Sequence, residues 1–174
     1  MRTKKGFTLI ELLIVIAIIA ILAIIIVIAI NPARILEKSR DSQRFSDMTS
    51  LATAVNLYLA DKENQALPAT GSRTTIEAAC TADINACKKN DGVAPSWVPL
   101  NFTSVSSGAP IASLPIDPTN DSTDYYRFGW NSVSKTYEFD CAFESSDNIL
   151  KMSAADGGNN PNRYEVGTDL TILP

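Results

Sequence analysis

Lys4-Lys5-Gly6-Phe7-Thr8-Leu9-Ile10-Glu11 opens the stretch that decides the fold, and 19 consecutive apolar residues, Leu12 to Ile30, carry it on to Asn31-Pro32. A helix rises about 1.5 Å per residue, so about 20 residues cover the roughly 30 Å of a bilayer's hydrocarbon. The stretch reads as one membrane-spanning helix. A secretory signal has an apolar region of only about 7–15 residues and then a small-residue cleavage step. This run is longer and ends in Asn-Pro, so the helix is expected to stay with the mature chain. Charge does not orient it, because Arg2, Lys4 and Lys5 precede the span while Arg34, Lys38, Arg40 and Arg44 follow it. Load does: six leading residues remain easily in the cytoplasm, and a folded domain with cysteines belongs outside.

Outward from that run, the chain of 174 residues is long enough for one sizeable core. Phe7 to Ile30 holds 22 hydrophobic residues out of 24, against 56 of 144 in Asn31 to Pro174, so one part is membrane-like and the other is that of a soluble domain. Histidine is absent, which removes the Ser-His-Asp and Cys-His nucleophiles and the paired-His zinc helix. No phosphate-cradling glycine loop or nucleophile elbow is present. An enzyme is not expected, and no cofactor is required. Net charge is −4, with no basic stripe beyond Arg44, so no direct nucleic-acid partner is expected either.

Glu11 is the informative residue of the span. A carboxylate in an apolar segment costs a few kcal/mol on insertion scales and usually has a partner or a task. Two readings stand: Glu11 snorkels into the headgroups at the membrane edge, or it meets an amine. Were the chain cut between Gly6 and Phe7, the new amino terminus would lie four residues, one helical turn, before Glu11. One amine and one carboxylate per subunit invite pairing between neighbours.

The residues Lys4 to Glu11, with the apolar run behind them, closely resemble the class III signal of type IV pilins and type II secretion pseudopilins. The resemblance implies that a membrane prepilin peptidase cuts after Gly6 and methylates the Phe7 amine, and that Glu11 is the glutamate guiding registration in a filament. The partners implied are copies of the chain, other pilins or pseudopilins, an inner-membrane assembly platform with its ATPase system, and membrane lipid before assembly. Localisation would be a single-pass membrane protein with a short cytoplasmic amino terminus, then an extracellular or cell-surface filament. Many family members bend the helix at a proline about 22 residues into the mature chain; Ile28 occupies that place here, and Pro32 follows four residues later.

Beyond Pro32, Phe45, Met48, Leu51, Ala52, Val55, Tyr58 and Leu59 recur at three- and four-residue steps, an amphipathic helix whose stripe should cover a sheet. The opposite face, with Arg40, Asp41, Arg44 and Asp47, is expected to be solvated. Asn31 is a good N-cap and Pro32 a good first helical residue for a second helix; alternatively one helix continues with a kink at Pro32. As a single rod, Phe7 to Lys62 would run about 84 Å.

The fold class expected is α+β and type IV pilin-like: a long N-terminal α-helix, with an apolar half and an amphipathic half, packed on a C-terminal antiparallel β-sheet. Residues 1–6 would be the leader, 7–30 the membrane and filament-core helix, 31–63 the amphipathic half and 64–174 the head. Residues 64–123 are read as a proline-limited loop with one short helix near Thr75 to Lys88. Strands are expected at Tyr125–Trp130, Thr136–Phe143, Asn148–Ser153 and Tyr164–Leu173. In the second of these Tyr137, Phe139, Cys141 and Phe143 alternate with Thr136, Glu138, Asp140 and Ala142, as in a half-buried strand. Three cysteines cannot all pair. Cys80 with Cys87 is the first choice, Cys141 being then a small buried thiol; a bridge from either of the two to Cys141 is the alternative.

Leu114-Pro-Ile-Asp117-Pro118 and Ala155-Asp156-Gly157-Gly158 resemble segments of major pseudopilins, some of which hold calcium near the second motif. On that resemblance Asp156, Asn159 and Asn160 are calcium candidates through their oxygen donors, though such clusters are usually turns. The leading functional reading is a structural subunit of a type IV pilus serving adhesion, motility or DNA uptake. A pseudopilin of a type II secretion system is the alternative. A monomeric anchored binding domain would leave Gly6-Phe7 and Glu11 as coincidences, and a membrane-tethered hydrolase would have only scattered acids such as Asp117, Asp121 and Asp124.

Overall fold

The computed structural model describes residues 6–62 and 68–174. The expected leader, apart from Gly6, lies outside the described residues, as does the start of the expected loop region at Asn64. Two compact units are present, one ending at Leu36 and the other running from Glu37 to Pro174.

Helix α1, Leu9–Ile30, begins at Thr8, whose side chain caps it, and ends at Asn31 in the left-handed conformation at φ 45°. Asparagine tolerates that conformation better than most residues, so it closes a helix where glycine otherwise would. Helix α2, Pro32–Asp61, starts on the next residue. Asn31 thus ends one helix and Pro32 opens another, the arrangement with two helices of the pair left open above.

In the second unit α2 buries Met48, Leu51, Ala52, Val55 and Tyr58, while Phe45 stays 42% exposed. Four strands follow among the described residues: β1 Gly71–Thr74, β2 Arg127–Asn131, β3 Thr136–Ala142 and β4 Arg163–Gly167, antiparallel throughout in the order β1-β2-β3-β4. Phe128, Phe139 and Val166 stand opposite one another across β2, β3 and β4. The inner parity of β3 joins the core with Trp97, Leu100, Phe102 and Leu114 of the intervening loop. Two phenols tie α2 to the sheet side: Tyr137 Oη donates to Ala52 O at 3.1 Å, and Tyr126 Oη to Asp47 Oδ2 at 2.8 Å. The chain is therefore α+β, with a helical N-terminal part and a C-terminal antiparallel sheet.

Several expectations are corrected. Asn148–Ser153 is not a strand: Ser146–Lys151 forms α5, because Ser145 N and Asn148 Nδ2 are both drawn onto the Asp41 carboxylate at 2.9 Å and the chain turns there. Tyr164–Leu173 pairs only as far as Gly167, after which Thr168 and Asp169 bond to Tyr137 O and the tail leaves the ladder. The single helix at Thr75–Lys88 is two, α3 Ala78–Ala82 and α4 Ile84–Cys87, divided by Asp83, whose Oδ1 accepts from Asn85 N and Ala86 N. An Asp side chain that can cap a new helix competes with continuing the old one. The loop region also yields β1, too short and polar to show an alternation. Finally, β3 is buried on both faces, since Glu138 and Asp140 are as inaccessible as Tyr137 and Phe139.

Candidate functional site

The N-terminal site is built by local rules. Thr8-Leu9-Ile10-Glu11 has the spacing of a capping box, in which the N-cap and the third helical residue satisfy each other's backbone donors. Thr8 N and Thr8 Oγ1 donate to Glu11 Oε2 at 2.9 and 2.7 Å, and Glu11 N donates to Thr8 Oγ1 at 3.3 Å. The T-x-x-E spacing of Thr8 and Glu11 before an apolar run is the sequence signature of such a box. Thr8 holds the carboxylate at the first turn, where the unpaired helix amides favour negative charge.

Glu11 and its neighbours on α1 are exposed. Phe7 is 89% exposed, and no residue of the stretch Leu9–Val27 is buried. Among the described residues this is the one helix long and apolar enough to cross a membrane. Ile28 lies within α1, and its side chain is outside the described residues. An exposed apolar helix surface of this size is one that lipid or other helices cover.

The α2 face expected to be solvated is where the head is tied together. Arg44 and Asp41 are buried. Arg44 Nε and Nη2 donate to the two oxygens of Asp117 at 2.7 and 2.9 Å, and Nη1 reaches Asp41 Oδ1 at 3.0 Å and Glu144 Oε1 at 2.7 Å. Arg40 Nε donates to the same Glu144 oxygen at 2.7 Å. Burial disfavours the Arg44 charge, but the bonds to Asp117 and Glu144 outweigh it and hold its pKa above the ordinary value. The bond from Arg40, with help from Arg44, holds the Glu144 carboxyl down at about 2. Periodicity gives this face to solvent only because the partners come from residues 117 and 144, out of reach of any local pattern.

Cys80 and Cys87 are joined in a disulfide, and Cys141 is a buried free thiol whose pKa burial pushes well above its usual range. Asp121 Oδ1 accepts from Thr123 N and Asp124 N in a turn, and Asp117 is bonded to Arg44. The calcium candidates occupy turn positions. Asp156 accepts from Gly158 N and Glu165 N, Asn159 Nδ2 donates to Leu173 O, and Asn160 Oδ1 accepts from Asn162 N. Behind them, on the outer face of the sheet, Glu138, Asp140 and Glu165 bring one carboxylate oxygen each within 4.8 Å of the others. Asp140 is neutralised by Arg127, Nε to Oδ2 2.7 Å, and by Arg163, Nε to Oδ1 2.8 Å.

No curated protein and no solved structure matches the chain. Residues 1–27 match the family model described as the prokaryotic N-terminal methylation motif, and with Gly6, Phe7 and Glu11 inside that match the chain carries the class III prepilin signal of type IV pilins and pseudopilins.

Proposed function

We propose that the chain is a structural subunit that is cut after Gly6, methylated at Phe7, held in the membrane by α1 and then assembled through α1 into a type IV pilus filament. The observation that carries this reading is a 22-residue apolar helix in which no residue of Leu9–Val27 is buried, with one carboxylate in its first turn, one turn from Phe7. Withdrawing such a helix from lipid into water would expose well over a thousand Å² of hydrocarbon, on the order of tens of kcal/mol at about 25 cal/mol per Å². A bundle of identical helices replaces lipid as the surroundings of that surface. In the bundle the Phe7 amine of one subunit meets Glu11 of a neighbour, which sets the step of the filament.

The pilus reading takes the prepilin peptidase, the assembly platform with its ATPase, other pilins and copies of the chain as partners. It contains no catalytic step and calls on no cofactor. A pseudopilin of a type II secretion system is the second reading, favoured by the likeness of Leu114–Pro118 and Ala155–Gly158 to segments of major pseudopilins; in this chain the first segment seats Asp117 on Arg44. Intact-mass measurement of protein sheared from the cell surface tests the proposal. A mature chain starting at methylated Phe7 in long fibres supports it, mature chain confined to short periplasmic assemblies points to the pseudopilin, and a chain still starting at Met1 contradicts both.

A further inference from the structure

The outer face of the sheet is acidic and closed from solvent. Glu138 and Asp140 on β3 and Glu165 on β4 are 0%, 0% and 2% exposed, and one carboxylate oxygen of each lies within 4.8 Å of the others. The 156–160 turn packs directly on this group, since a Cβ at Gly158 would fall 2.5 Å from Glu165 Cδ. The fold accounts for one oxygen of each glutamate. Glu138 Oε2 accepts from Ile172 N and Leu173 N at 2.8 and 2.9 Å, and Glu165 Oε2 accepts from Asn160 N at 3.1 Å.

The other oxygens, Glu138 Oε1 and Glu165 Oε1, are buried and have no hydrogen-bond partner among the described residues. An unpaired carboxylate oxygen away from water carries the full cost of its lost hydration. The neighbouring guanidiniums bond elsewhere. On β2, Arg127 donates to Asp140 and Pro174 O; on β4, Arg163 donates to Asp140 and Tyr125 O. Asp156, whose Oδ2 accepts from Glu165 N, adds a further acid. Glu138, Asp140, Asp156 and Glu165 thus stand against Arg127 and Arg163 alone, four acids to two bases, and two negative charges are left over. Buried carboxylates that face one another in this way call for a cation.

We propose that Glu138 and Glu165, with Asp140 beside them, hold a divalent cation of calcium's size on the outer face of the sheet. Calcium takes oxygen ligands at about 2.3–2.6 Å, so its ligands stand up to about 5 Å apart, whereas magnesium, at about 2.0–2.1 Å, needs them within about 4 Å. The 4.8 Å spread of the three carboxylates suits the larger ion. One such ion gives both orphaned oxygens a partner and cancels the two leftover charges. The turn oxygens are not its ligands: Asp156 Oδ1 and Oδ2 accept from Gly158 N and Glu165 N, and Asn160 Oδ1 accepts from Asn162 N, so the turn closes on its own amides. The ion is structural and belongs to the head, and the pilus reading stands or falls without it.

The test is calorimetric titration of the full chain in detergent micelles with calcium chloride after treatment with a chelator. A single calcium per chain is expected, with magnesium binding about tenfold or more weaker, and calcium should raise the thermal unfolding midpoint, as a ligand of the folded state does. Glu138→Gln keeps an oxygen for the tail amides but loses the charge, and it should weaken calcium binding about tenfold or more, as should Glu165→Gln. Asn159→Ala and Asn160→Ala should bind calcium as the unaltered chain does. No heat with calcium, a midpoint raised as much by sodium chloride at equal ionic strength, binding that survives both glutamine variants, or binding that either turn variant abolishes would overturn the proposal, the last by placing the ion in the turn. Infrared absorption of the unaltered chain gives a readout that needs no variant: carboxylate bands that shift on adding calcium support the site, and bands that calcium leaves unmoved overturn it.

Discussion

Arg44 on α2 and Asp117 in the loop before β2 are 73 residues apart in the chain and form a fully buried ion pair, Nε to Oδ2 2.7 Å. Asp117 Oδ1 also accepts from Thr119 N at 2.8 Å, so one carboxylate fixes both the helix and the turn behind it. Arg44→Ala leaves Asp41 and Asp117 buried without their cation. Removing one partner of a buried pair costs about 3–5 kcal/mol, and thermal unfolding of the full chain in detergent should show a loss of stability of that order. A change within the few tenths typical of a surface site would mean that the pair does not anchor the head.

Glu144 makes this network sensitive to acid. Its carboxyl is held at about 2 by the bond from Arg40 and then by Arg44, against an ordinary value of 4.5. A depressed folded pKa gives stability that is present above the unfolded value and lost as pH falls through the folded one. Roughly 2–3 kcal/mol should therefore disappear between about pH 4.5 and about pH 2. Glu144→Gln should remove most of that slope, which acid unfolding followed by near-ultraviolet circular dichroism measures.

The cysteines make a prediction with a chemical readout. The Cys80–Cys87 bridge closes a short loop, for which chain entropy gives about 2 kcal/mol; Cys80→Ser with Cys87→Ser should lower the unfolding midpoint accordingly. Cys141 is 0% exposed. Mass spectrometry after maleimide treatment should show no label on the folded chain and one on the unfolded chain, whereas labelling of the folded chain would place Cys141 elsewhere than in the core.

Thr8 deserves separation from Glu11, because its hydroxyl gives the carboxylate one of its two local donors. Thr8→Ala should weaken the start of α1 by about 1 kcal/mol, and Thr8→Ser should restore it. Exchange rates of the Leu9 to Leu12 amides in micelles check this: faster exchange in the alanine variant alone is expected, and unchanged rates would mean that the capping box does not hold the helix start.

What the sequence made readable follows from distance along the chain. The 19-residue apolar run, the three- and four-residue steps from Met48 to Tyr58, and the alternation of Tyr137, Phe139 and Cys141 are local patterns, and each became the element expected of it. The misreadings at Arg44, Glu138 and Asn148 involve partners far apart in sequence, whereas the helix expected at Thr75–Lys88 is divided by a local cap at Asp83. Arg44 looked solvated because Asp117 and Glu144 are distant. Glu138 looked like part of a solvent face because the tail amides it holds come some 30 residues later. Asn148 looked like the start of a strand because Asp41, more than 100 residues earlier, draws its side chain into a turn. At the amino terminus the signal is wholly local: Gly6, Phe7, Thr8 and Glu11 lie within six residues of one another.

The central claim is that the Glu11 carboxylate pairs with a neighbour's Phe7 amine and sets subunits in register as α1 leaves lipid. Its most direct test is the amount of chain recovered in sheared surface filaments from Glu11→Ala cells, with intact mass read on the membrane fraction. The account predicts that the variant is cut after Gly6 and remains in the membrane while the filament fraction falls at least tenfold. Filaments as abundant and as regular as those of the unaltered chain would contradict it.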